Sequence, residues 1–194
     1  MNLADVVAGA RGSPGEGLRA LDALARAISR TRWFSAAGRP LSPASLAAAN
    51  AVLEGVMAAG AEIRQADSWS RSRRLYDRHH EDGAIAAEFV MECRNLRQWA
   101  EARNSADLLQ ALLADVRSLA YDTAHGAAAG ATLLAGVRDR DVARLAASEA
   151  GDTALGAGLA IAAGATDHPF VHLLALLEAG HWPIGTVDGV FWIF

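Results

Sequence analysis

His181-Trp182-Pro183-Ile184-Gly185-Thr186-Val187-Asp188-Gly189-Val190-Phe191-Trp192-Ile193-Phe194 closes the chain, and its reading decides how the rest is arranged. Two short apolar runs flank Asp188-Gly189, a dipeptide that favours the left-handed angles of a type I′ turn, so a β-hairpin is expected over about 182–194. Strand alternation puts Trp192 and Phe194 on one face and Phe191 and Ile193 on the other, and both faces are apolar. A lone hairpin is marginal in water. Burying each large apolar side chain is worth roughly 1.5–3 kcal/mol, so this tail must dock, either between its own helices or on a second chain.

Upstream of the tail the signals are helical. Ser13-Pro14-Gly15-Glu16 reads as a capping box ahead of the stripe Leu18, Leu21, Leu24 and Ile28. Trp33-Phe34 and Gly38-Arg39-Pro40-Leu41 form a connecting loop pinned by its aromatics, and Ser42-Pro43 starts a helix that Gly60 is expected to end. Gly83 breaks the charged part of the chain, residues 61–104. Beyond it Ile85, Phe89, Cys93, Leu96 and Ala100 share one helical face, with Glu88 and Glu92 along its edge. Ser105 opens a helix with Leu109, Leu112, Leu113, Val116 and Ala120 inward, running toward Gly136. Asp139 is read as opening a helix to about Ala150, Asp152 a second to about Ala163, and Asp167 as capping a third with Pro169 in its first turn. Phe170, Val171, Leu173, Leu174, Leu176 and Leu177 leave that last helix almost no polar face, so it is expected to be central. The reading is therefore a mainly α fold: about seven to nine helices in one compact bundle-like domain over 1–194, with the C-terminal hairpin attached.

Composition narrows the function classes. With 194 residues, 52% hydrophobic and 21% charged, the chain is an ordinary globular protein. All 18 basic residues are arginine, and with the excess of alanine and glycine this points to the coding bias of a GC-rich bacterial genome. Without lysine there is neither a lysine Schiff base nor a standard P-loop. The net charge of −4 argues against nucleic acid and anionic membrane as partners. The single cysteine, Cys93, excludes an internal disulfide and a Cys-only zinc site, and is read as a small core residue. Met1-Asn2-Leu3-Ala4-Asp5 has none of the features of a signal peptide, and no stretch is long and apolar enough to span a bilayer, so a cytoplasmic location is expected.

Three clusters carry candidate chemistry. His168 and His172, four apart, share a helical face and could hold a metal if His125, Asp122 or the Glu88/Glu92 pair supplied a third ligand; each could equally be a hydrogen-bonded structural histidine. The run from Arg71 through Asp82 offers Arg71, Arg73, Arg74, Tyr76 and Arg78 for gripping an oxyanion or an acidic partner loop. The same run also reads as a self-paired surface, Arg74 with Asp77 and Arg78 with Asp82. Within it, Arg74 followed by His79 resembles the Arg-x4–6-His motif of HEPN-type helical ribonucleases, in which the pair acts in RNA backbone cleavage; the polar residue usual after the Arg is Leu75 here. Third, Tyr121 and His125 stand at i, i+4 with Asp122 beside them, the composition of an acid–base site or of a buried polar knot.

None of these is a complete catalytic set, and no cofactor is implied. Trp99 and Trp182 are read as core, while Trp192 is left between core and contact surface. The leading expectation is a non-catalytic protein-binding module, an adaptor or immunity-type inhibitor, or a homo-oligomer such as a dimer. A metal-dependent or acid–base enzyme with a histidine site between helices is the alternative, and a HEPN-like ribonuclease the second.

Overall fold

The computed structural model describes residues 3–9, 16–56, 58, 60–81 and 83–194, excluding the side chains of 84–86. Ser13, Pro14 and Gly15 of the expected capping box, Asp82, and the Ile85 side chain lie outside that set. Among the described residues there are eight helices and three strands: α1 (Leu3–Gly9), α2 (Glu16–Ile28), α3 (Pro43–Gly55), β1 (Glu62–Gln65), α4 (Trp69–His79), α5 (Ala84–Glu101), α6 (Ala106–Leu134), α7 (Asp141–Ala163), α8 (Pro169–Glu178), β2 (Pro183–Val187) and β3 (Val190–Ile193). The chain is mainly α, with a small sheet built around its C-terminal hairpin.

The long helix α7 is the axis, packed by α2, α5, α6 and α8. Small residues make this possible. Gly158 lies against Leu113, Leu21 and Leu24, and Gly156 against the Phe170 ring, where a Cβ would come within 2.5 Å. The expected break at Asp152 does not occur. Gly151 seats against the Arg117 carbonyl of α6, and Asp152 binds the Arg117 guanidinium at 2.7 Å, so both breaker residues serve the α6–α7 contact inside one helix. Two further boundaries move. Helix α3 stops at Gly55, whose backbone lies against the Pro169 ring, rather than at Gly60. Helix α8 is capped by His168, whose Nδ1 accepts the Phe170 N–H, because Asp167 is taken up by His172.

The hairpin forms as expected, with Asp188 and Gly189 at φ 53° and 75°. A third strand joins it: β1 pairs parallel with β3 in register Glu62 to Val190 through Gln65 to Ile193, giving the order β1-β3-β2. Both faces of β3 are covered. Phe191 and Ile193 pack with Ala49, Val52, Leu53 and Leu176 of α3 and α8. On the other face Phe194 meets the Trp69 ring edge-on at 5.0 Å, and Trp69 lies 5.9 Å from Trp182, which is 0% exposed. Phe34 joins this aromatic cluster, and Trp33 Nε1–H donates to Thr123 Oγ1 at 2.9 Å, so the loop after α2 is pinned at two points. The tail is sandwiched within its own chain.

Candidate functional site

Helix α4 starts where the Ser68 side chain accepts the Arg71 N–H, and it lies along β2. That placement uses up most of the basic cluster. The Arg71 guanidinium sits 4.8 Å above the Trp192 ring and pairs with Asp67 at 3.3 Å. Arg73 pairs with Asp77 and lies 3.7 Å from Asp139. Asp77 is thus held by Arg73, and the expected Arg74–Asp77 pair is not formed. Arg78 reaches both oxygens of Asp188 in the hairpin turn, at 2.8 and 2.9 Å. Tyr76 stacks on His80 at 4.1 Å with Trp182 behind it at 5.9 Å. Arg71 and Arg78 clamp the helix to the hairpin, while Arg73 ties it to Asp139 ahead of α7. Arg74 alone of the named arginines points outward without a bond among the described residues. His79 Nδ1–H donates to the Thr186 carbonyl at 3.0 Å, its ring against Gly185. Five helical positions separate Arg74 and His79 by about 140° of azimuth, so one faces water while the other faces the sheet.

The histidines are distributed likewise. His168 uses both ring nitrogens: Nδ1 accepts the Phe170 N–H, and Nε2–H donates to Glu92 at 2.9 Å. His172 binds a different carboxylate, Asp167, at 2.9 Å. Their lone pairs do not converge, and among the described residues no group of three His, Cys, Asp or Glu side chains is placed to hold a metal. Tyr121 and His125 stack at 5.9 Å, but His125 and Asp122 are exposed on α6 instead of forming a knot between helices.

The most perturbed acid was not visible in the sequence. Glu149, in the middle of α7 and facing α4, has its carboxyl pushed up to about 7 by burial and by the charge of Asp152. Burial, with the same two carboxylates, pushes the Tyr76 phenol well above its ordinary value. Burial likewise pushes the Cys93 thiol up to about 11, so it is a poor nucleophile. A carboxyl half-protonated at neutral pH is suited to proton transfer. Among the described residues, nevertheless, no nucleophile or histidine is bonded to Glu149. An open cleft of about 410 Å³ between the ends of α2 and α8 is lined by Arg30, Thr31, Arg32, Ser35 and Glu178. The C-terminal ends of α2 and α8 lie there, and carbonyl ends of helices favour cations such as these arginines.

Part of the exposed surface is apolar. Trp99, expected in the core, is 59% exposed in the last turn of α5, and the other four tryptophans are buried. Leu96 and Ala100 turn inward, while Trp99 and, two turns earlier, Met91 are exposed. Leu108, in the first turn of α6, is 58% exposed. The fold and this surface define a mainly α protein with a small sheet and no assembled catalytic centre among the described residues. Compared with known proteins, the chain matches no family model, no curated protein and no solved structure. No helix among the described residues is long and apolar enough to cross a membrane.

Proposed function

We propose that the chain works by binding another protein, as an adaptor or an inhibitor of the immunity type, through the outward face of α5 and the start of α6. The observation that carries this reading is the exposed Trp99 in a chain that buries every other tryptophan. Exposing an indole in water is unfavourable, and tryptophan is the residue most enriched at binding hot spots. Met91, also exposed on α5, adds adaptable apolar surface two turns away. Arg71 and Arg78 are engaged with Trp192 and Asp188, so the Arg71–Arg78 segment favours a partner less than this face does.

Affinity capture with the wild type and with Trp99→Ala tests the reading. A partner held in stoichiometric amount should be lost by about tenfold or more from the variant, with the thermal melt unchanged because Trp99 is outside the core. If Trp99→Ala and Met91→Ala/Trp99→Ala retain the same proteins as the wild type, this face is not the binding surface.

A further inference from the structure

The two edges of the sheet are treated differently. Strand β2 lies along α4, and its Thr186 carbonyl accepts from His79. At the other edge, the Ala66 N–H just past β1 donates to the Ile193 carbonyl at 2.8 Å. The parallel register with β3 carries that direction back to Arg64 and Glu62. Backbone groups alternate in direction along a strand, so the N–H and C=O of Ile63 and the N–H of Gln65 point away from β3. Among the described residues nothing bonds to them. Glu62 and Arg64 flank Ile63 with side chains 56% and 53% exposed, and they meet along the strand in a two-pronged ion pair at 2.7 Å. Ile63 is half-buried on the face that carries Phe191 and Ile193.

We infer that two copies of the chain join edge to edge through β1, running antiparallel about a two-fold axis at Ile63. The two Ile63 residues then exchange both backbone bonds, N–H to C=O, as the hydrogen-bonded pair of an antiparallel ladder. One residue to either side, Glu62 stands opposite Arg64 of the other copy, and Arg64 opposite its Glu62. The axis makes each contact twice. All three positions lie inside the strand, so its regular geometry sets the match. Shortness and charge ordinarily keep an edge strand from pairing. An edge of one sign repels its copy, whereas Glu62 and Arg64, opposite in sign and symmetric about Ile63, complement theirs. A parallel arrangement would instead set Glu62 against Glu62 and Arg64 against Arg64. The contact continues the order β2-β3-β1 into its reverse, with Ile63 beside Ile63 on the face toward α3 and α8. A contact between four-residue strands is at the small end of interface sizes, below about 1,200 Å², so the dimer exchanges with monomer.

Sedimentation equilibrium of the full chain from about 1 to 500 µM tests this pairing. The wild type is expected to show a monomer–dimer equilibrium. Glu62→Arg and Arg64→Glu each set like charges opposite one another and should weaken it by about tenfold or more. An equimolar mixture of the two variants should dimerise to within about threefold of the wild type, because every arginine then faces a glutamate. The mixture reads the contact between chains, since the pair within each chain stays broken in both. Both positions are exposed, so the melts should not move. Amide exchange at Ile63 should slow by about twofold or more across the same range, while that of Arg64, bonded to β3, stays constant. A chain that stays monomeric throughout, a dimer indifferent to either substitution, a mixture without recovery, or Ile63 exchange independent of concentration overturns the proposal. A dimer lost in Trp99→Ala and kept in Glu62→Arg would place self-association on α5, and overturns it too.

Discussion

The C-terminal hairpin and the C-terminal end of α6 are the two greasiest stretches of the surface-forming chain, yet they have opposite fates. Phe191 and Ile193 disappear between α3 and α8, and Trp192 and Phe194 under α4 and the aromatic cluster. Leu133 and Leu134 stand in water on an outward face with nothing over them. The tail is more apolar residue for residue, so composition ranks the two in the wrong order as contact surfaces. What separates them is supply. Helices α3, α4 and α8 lie near enough to β3 to cover both of its sides, whereas α6 packs mainly on α7 and α2 and touches α5 little.

Breaking the hidden half of this comparison should have the largest effect. Deletion of Val190–Phe194 removes the central strand and leaves β1 and β2 without a partner. The truncated chain is expected to aggregate or lose its cooperative melt, and a soluble product with an unchanged melting temperature would show that the sheet is dispensable. Phe191→Ala keeps the strand but empties one pocket; about 3–5 kcal/mol of stability should be lost in urea titrations. Next comes the buried acid. Because Glu149 holds its proton up to about 7 in the folded protein, against 4.5 in an unperturbed carboxyl, stability should fall as pH rises through that interval and level off above it. Glu149→Gln removes that slope. At pH 8 it should be more stable than the wild type by about 1–2 kcal/mol, allowing for the partial exposure of the carboxyl; denaturation curves at pH 5 and pH 8 compare the two directly.

The surface half should respond weakly. Arg78→Ala opens the ion pair to Asp188, which is exposed on both sides, and less than about 1 kcal/mol is expected. Leu134→Ala should change the stability of the chain by under about 0.5 kcal/mol in urea titrations. A loss comparable to that of Phe191→Ala would mean that something in the monomer covers this leucine after all.

Much of the fold was legible because its signals are local. Asp188-Gly189 specified the turn, Ser42-Pro43 a helix start, and Gly83 the break between α4 and α5. Strand β1 was not, since Glu62-Ile63-Arg64-Gln65 reads as part of a charged segment. It becomes a strand because β3, distant in sequence, offers it a parallel edge. Gly151-Asp152 looked like a helix break for the same reason: a glycine that lets α6 approach is indistinguishable in sequence from one that ends a helix. The candidate sites fared worse. Arg71, Arg73, Tyr76, Arg78 and His79 were found as a group, but their use in fastening α4 to the hairpin, and through Arg73 to Asp139, depends on which element lies beside them. Glu149 carried no sequence signal, its perturbation being a property of the surrounding burial and of the Asp152 charge.

The chain by itself determined the helix-rich class, the hairpin and its two-faced apolar strand, because periodicity and turn angles are written into neighbouring residues. Only the tertiary structure decided which apolar faces were covered: it hid Trp192, left Trp99 and Leu134 in water, and separated His168 from His172 onto different carboxylates. Those outcomes depend on how residues far apart in sequence meet, and no local pattern records that.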